Sequence, residues 1–288
     1  MTSFFRRAAA TAFASIYFVL PAWSRLPDGT TVYATKMVNF CGEAAPVRVV
    51  FYQRIGESIG VAVLDLSGRE ITKNEDDSAT LPLTEATGIY DLTGDRCPEI
   101  FLVGGAGAKT FEADAYTYSH GHLRKIGSWS GQGVRIQYMG GKPVIAITGE
   151  SSLTNLYVWN RGKFIRANES FPNFYIPEIA GQRKILKNGG SLPAYMYSQA
   201  CWLSAEALVY GRRYGEAEAI CHEATKVVHT RERVIPSLRG SEEVLRADQR
   251  KADQEIERTL SLVAKARQKG ANNLHQKTRP TELQIPRA

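Results

Sequence analysis

The sequence predicts an α+β chain: an N-terminal all-β region of blade-like repeats, followed by a C-terminal α-helical hairpin and a long helix. Three observations predict it. Up to about residue 169, short segments rich in β-branched and aromatic residues alternate with glycine-bearing turns. A strand–turn–strand pattern recurs around Gly68, Gly121 and Gly162. From about residue 193 the apolar residues fall at helical spacing instead.

The chain opens MTSFFRRAAATAFASIYFVLPAWSR. Arg6 and Arg7 precede an apolar run from Ala8 to Ala22, and Ala22-Trp23-Ser24 supplies a small-x-small cleavage site. Residues 1–24 are therefore expected to be a signal peptide. A transmembrane anchor wants about twenty apolar residues, whereas Thr11, Ser15 and Pro21 interrupt this run. No bulky apolar pair follows the two arginines, which favours general secretion over twin-arginine export. The expected location is periplasmic or secreted. In that setting the even set of Cys41, Cys97, Cys201 and Cys221 reads as disulfides, and no C-x-x-C pair suggests zinc. Charge is uneven: residues 25–180 carry a net −2 and residues 181–288 a net +7.

Residues 25–172 form the expected β domain. The segments TTVYATKMVNF, VRVVFYQRI, IGVAVLDL, EIFLVGG, DAYTYS, VRIQYM, PVIAITG and NLYVWN read as strands of a sandwich, barrel or propeller. VAVLDLSGREITKNE, DAYTYSHGHLRKIGSW and LYVWNRGKFIRANES align on their glycines, while CPEIFLVGGAG and KPVIAITGESS align on their prolines. The units read as four-stranded blades over 47–87, 88–131 and 132–172, an open partial β-propeller, although a plain meander of hairpins would give similar turns. YDLTGDRCPEIFLVG, residues 90–104, resembles the Asp-x-x-Gly-Asp signature of FG-GAP and VCBS repeats, which build integrin-type propellers. That resemblance implies calcium as a cofactor, held by Asp91, Asp95 and Glu99, with Thr93 as a weaker ligand. The chain departs from the pattern at Arg96, where the family has glycine, and it carries no second acidic copy. The competing reading has these side chains capping their own turn.

The stretch 171–192 holds two prolines and a Gly-Gly, and residues 173–192 read as a linker. Residues 193–270 form the expected helical domain. AYMYSQACWLSAEALVYGRRYGEAEAICHEATKVVH predicts two helices meeting near Gly211 to Gly215, and ALVYGRRYGEAEAICHEA is similar to one tetratricopeptide unit, with Tyr214, Ala217 and Ala224 at its packing positions. One unit implies a packing hairpin, not a peptide-binding solenoid. Cys201 and Cys221 lie about equally far from that turn, so antiparallel helices would bring them level. A bridge there would contribute roughly 3 kcal/mol, and Cys41 would then pair with Cys97 by exclusion. Residues 241–270 predict a long helix with Ser241 as N-cap, a narrow stripe of Ile256, Leu260, Val263 and Ala266, and an end at Gly270. Residues 271–288 read as a disordered tail.

Little else suggests chemistry. His120 and His122 in SHGH have metal-like spacing, but their alignment with NRGK puts them at a hairpin tip. GGAGAK, residues 104–109, precedes a strand and not a helix, so it is no phosphate cradle. Glu75, Asp76 and Asp77 sit in a polar loop, and no nucleophile, elbow or zinc helix motif occurs. The expectation is a non-catalytic binding or scaffold module that recognises a protein or glycan of the cell envelope through β-domain loops. Its basic C-terminal part could touch anionic surfaces, and nucleic acid is not an expected partner. The alternative is a hydrolase of an envelope polymer, using loop carboxylates.

Overall fold

The computed structural model describes residues 26, 29–54, 56–149, 153–188, 194–230 and 242–277. The signal-peptide reading of residues 1–24, the Ser241 cap and the last residues of the tail lie outside them.

Twelve strands form three four-stranded antiparallel sheets, each a sequential meander. The first contains β1 (Thr31–Val38), β2 (Val47–Arg54), β3 (Ser58–Leu64) and β4 (Glu70–Asp76). The second contains β5 (Gly88–Tyr90), β6 (Glu99–Gly107), β7 (Thr110–Ser119) and β8 (His122–Gly131). The third contains β9 (Gly133–Met139), β10 (Lys142–Thr148), β11 (Thr154–Asn160) and β12 (Lys163–Arg166). Two short 3-10 turns lead into α1 (Ile176–Asn188), α2 (Ala194–Tyr210), α3 (Tyr214–Thr230) and α4 (Glu242–Lys277). The mixed α+β class agrees with the sequence. The described strands do not close into a barrel or ring.

The layers stack face to face, and side-chain alternation shows how. Ile100 and Leu102 of β6 pack toward the first sheet with Val49, Phe51 and Val61. Phe101 and Val103 point the other way, joining Trp129, Ile145 and Ile147 between the second and third sheets. On β10 the pattern repeats: Val144 and Ala146 turn outward and meet Tyr175, Cys201, Leu208 and Ile256 of the helical layer. A strand buried on both faces has no polar side, which is why IFLV and PVIAI read as unbroken apolar runs.

Gly68, Gly121 and Gly162 occupy the same place in each sheet, the turn between its third and fourth strands. His120-Gly121 and Arg161-Gly162 are two-residue loops, closed by the pairs Ser119–His122 and Asn160–Lys163. All four loop residues have positive φ, as the hairpin turn matching strand twist requires. The prolines share a place as well: Pro46 and Pro98 stand just before β2 and β6, and Pro143 is the second residue of β10.

Four expectations need correction. The first sheet gains its edge from β1, upstream of residue 47, because β1 pairs with β2 from Thr31–Gln53 to Val38–Val47, while β4 ends at Asp76. Residues 176–188 are helix, not linker: Pro172 and Pro177 fall in first turns, where the missing N–H costs nothing. Buried Tyr175 and Ile179 dock this segment on the third sheet, the Tyr175 hydroxyl donating to the Thr154 carbonyl at 2.8 Å. Helix α4 runs through Gly270 to Lys277, taking in part of the expected tail. A Cβ on Gly270 would stand 2.9 Å from the Tyr214 hydroxyl, so this glycine permits close packing and does not end the helix.

The fourth correction concerns the cysteines. Cys41 and Cys97 are joined, with Cα atoms 5.5 Å apart. Cys201 and Cys221 do lie level on α2 and α3, but as free, buried thiols with sulfurs 3.8 Å apart. The Cys201 thiol donates to the Cys221 sulfur, and this bond together with burial holds the Cys201 proton on.

Candidate functional site

The acidic turn folds around its own backbone. Asp91 accepts from the Gly94 and Arg96 amides at 2.7 and 3.1 Å, and Asp95 from the Cys97 amide at 2.8 Å. Glu99 is buried and turns inward, accepting from the Leu92 amide at 2.7 Å and from the Thr93 amide and hydroxyl at 3.3 and 3.1 Å. Burial pushes its carboxyl up to about 7, against the pull of those donors. Arg96 adopts φ 70°, a left-handed conformation, without a glycine to ease it. The disulfide to Cys41 anchors the turn to the loop after β1. Carboxylates occupied in this way converge on amide hydrogens, not on a common centre. Among the described residues no group of three or more His, Cys, Asp or Glu side chains is placed to hold a metal.

His120 and His122 are exposed at the β7–β8 hairpin, and the His120 amide donates to Glu43 at 2.5 Å. Glu75 is an internal brace, accepting from the Tyr52 hydroxyl and from Arg54, both at 2.8 Å. Asp76 caps Ser78, accepting from its amide at 3.0 Å.

One polar cluster escaped the sequence reading. Asp114 is buried, 2.5 Å from Lys125 Nζ and 2.7 Å from the Tyr116 hydroxyl, which in turn accepts from Asn74 of β4 at 2.5 Å. Burial and the neighbouring carboxylate hold the Tyr116 proton on well above the usual phenol range. The group seams the first sheet to the second. Its signal was present: an aspartate sits at an inward position of the alternating strand EADAYTYS.

Concavities among the described residues include one of about 430 Å³ lined by Arg183, Leu186, Tyr197 and Ile220, and two larger ones. A groove of about 490 Å³ lies where the second and third sheets meet, lined by Tyr90, Phe111, Val134 and Ile136, with Thr84 and Glu85 at its rim. Tyr90 packs edge-on to Phe101 at 6.4 Å and donates to the Ala86 carbonyl at 3.1 Å. Tyr138 is paired with Pro143, on the face of β10 that carries Ile145, so it faces the second sheet; it is 62% exposed. Burial raises the Tyr90 phenol, and the Tyr138 and Tyr33 phenols nearby add to the effect.

The second concavity, about 590 Å³, lies between residues 166–170, α2 and α4. Its walls are Trp202, Val209, Leu262 and Val263, and its polar corner is Arg166, Glu206 and Tyr210. Arg166 approaches Glu206 at 3.3 Å and stacks over the Tyr210 ring at 5.1 Å, while the Tyr210 hydroxyl donates to Glu206. Burial raises the Glu206 carboxyl, opposed by Arg166. An acid so enclosed is braced as part of the wall.

No protein-family model matches the chain, and no curated protein does. No described helix is long and apolar enough to cross a membrane.

Proposed function

We propose that this chain is an exported, non-catalytic binding module of the periplasmic or secreted space, and that it recognises a protein or glycan of the cell envelope through its β domain. The observation that carries this reading is the groove between the second and third sheets. Its lining combines aromatic and aliphatic side chains with the polar groups of Thr84, Glu85 and Arg135, and ligand sites use such polar groups to fix orientation. Glu85 is its one carboxylate, so it lacks the acid pair that glycoside hydrolysis needs. Export is supported by the charged and apolar N-terminal sequence and by the Cys41–Cys97 bridge, which belongs in an oxidising compartment. The likeness of YDLTGDRCPEI to FG-GAP and VCBS repeats supports a propeller-derived β domain, while the tetratricopeptide-like hairpin serves as packing against the third sheet. The basic C-terminal part gives weak contact with anionic surfaces.

The test is an array of envelope polysaccharides and extended peptides, probed with the full chain and with an Ile136→Arg, Tyr138→Ala variant. Both side chains are at least partly exposed, so the fold should persist, as circular dichroism would verify. A ligand retained by the native chain and weakened at least about tenfold in the variant, or ~1.4 kcal/mol, supports the reading. Equal binding by both proteins, or release of cleaved polymer, sinks it.

A further inference from the structure

The three sheets expose six edge strands, and proteins ordinarily protect such edges because unpaired backbone groups recruit other chains. Five of the six carry a protective device. Strands β5 and β12 are three and four residues long. Strand β4 bears Glu70, Lys73, Glu75 and Asp76, and β8 bears Arg124 and Lys125. Strand β9 is largely half-buried, with Arg135 stacked over Phe174 at 5.8 Å. Strand β1 is different. It is eight residues long, six of them exposed, with Lys36 its single charge, and among the described strands it pairs only with β2. Val32, Tyr33 and Met37 are 37%, 44% and 53% exposed, an apolar row along an open edge. Its one irregularity, a bulge between Val32 and Ala34, leaves Ala34–Val38 regular.

We infer that β1 pairs antiparallel with β1 of a second copy about a two-fold axis through Thr35, joining two first sheets into one of eight strands. The sequence of the edge fits itself. Antiparallel neighbours must share a face, so a two-fold contact centres on one residue. Centring on Lys36 would set two ammonium groups directly opposite, a destabilising arrangement. Centring on Ala34 would set the bulge residue Tyr33 directly against Thr35, next to the axis. Centring on Thr35 sets Thr35 against its own copy, a favourable cross-strand pair. Ala34 then faces Lys36, so the paired core runs from Ala34 to Lys36 and the bulge residue Tyr33 falls beyond its ends. An edge contact of this length is small, so the dimer is weak.

Sedimentation of the full chain from low micromolar to near-millimolar concentration tests the inference. The native chain is expected to rise toward twice the monomer mass. Thr35→Lys places like charges opposite each other and should weaken association at least about tenfold, whereas Lys36→Glu, facing Ala34, should change it little. Thr35→Cys should cross-link to its own copy under mild oxidation, and Lys36→Cys poorly, which fixes the register independently of any loss of fold. A native chain that stays monomeric throughout overturns the inference, whether or not the edge takes up extended peptides. So does a dimer that tolerates Thr35→Lys and gives no cross-link in the Thr35→Cys variant.

Discussion

The β stack and the helical layer each hold two cysteines, and they use them differently. Cys41 and Cys97 are bonded across a span of 56 residues, joining the loop after β1 to the acidic turn before β6. Cys201 and Cys221 touch as thiols inside a core already filled by Ala205, Leu208, Ala217 and Ile256. The difference follows from topology. The bridge joins two irregular segments, 39–46 and 91–98, and closing such a span covalently removes much unfolded-chain entropy. Antiparallel helices that bury alanine and leucine along their length are already fixed by packing, and there a thiol behaves as a small apolar group.

Loss of a covalent or polar tie should hit the β stack hardest. Cys41→Ser with Cys97→Ser is expected to cost roughly 4 kcal/mol in denaturant unfolding, and reductant should reproduce the loss in the native protein. Next in size is the seam between the first two sheets. Asp114→Ala leaves Tyr116 without its acceptor and strands Lys125, and should cost about 2–3 kcal/mol, read from the same unfolding curves.

A smaller effect is carried by pH. Glu99 titrates at about 7 in the folded chain, above its ordinary 4.5. The folded state therefore holds that proton more tightly, and stability should fall as pH rises through the window between those values. After allowance for solvent, the change is on the order of 1–2 kcal/mol. Glu99→Gln should flatten the slope in melts taken across that range. Smallest of all, Cys201→Ala should cost about 1 kcal/mol and leave the protein's response to reductant unchanged. Calcium should leave the melting temperature where it is, because Asp91, Asp95 and Glu99 are occupied by the turn's own amides; a rise at millimolar calcium would support the metal reading.

What the sequence disclosed was local. Gly121 and Gly162 announce their hairpins because only a few residues tolerate two successive positive φ angles, and the apolar runs of β6 and β10 announce strands buried on both faces. Non-local facts were hidden. Nothing in TVYATKMV says that it completes a sheet with residues 47–76. Pro172 and Pro177 look like breakers until they are seen in first turns. Gly270 looks like a stop until Tyr214 is found against it. The acidic turn was legible as a turn, but its spacing could not show that Glu99 points inward to Leu92 and Thr93. The groove was illegible altogether, since Thr84, Phe111 and Ile136 meet only when two sheets stack.

The most direct measurement is peptide mapping by mass spectrometry after alkylation under denaturing, non-reducing conditions. It should return Cys41 linked to Cys97, with Cys201 and Cys221 both alkylated. A peptide joining Cys201 to Cys221, or an alkylated Cys97, would contradict the division of labour between the two halves.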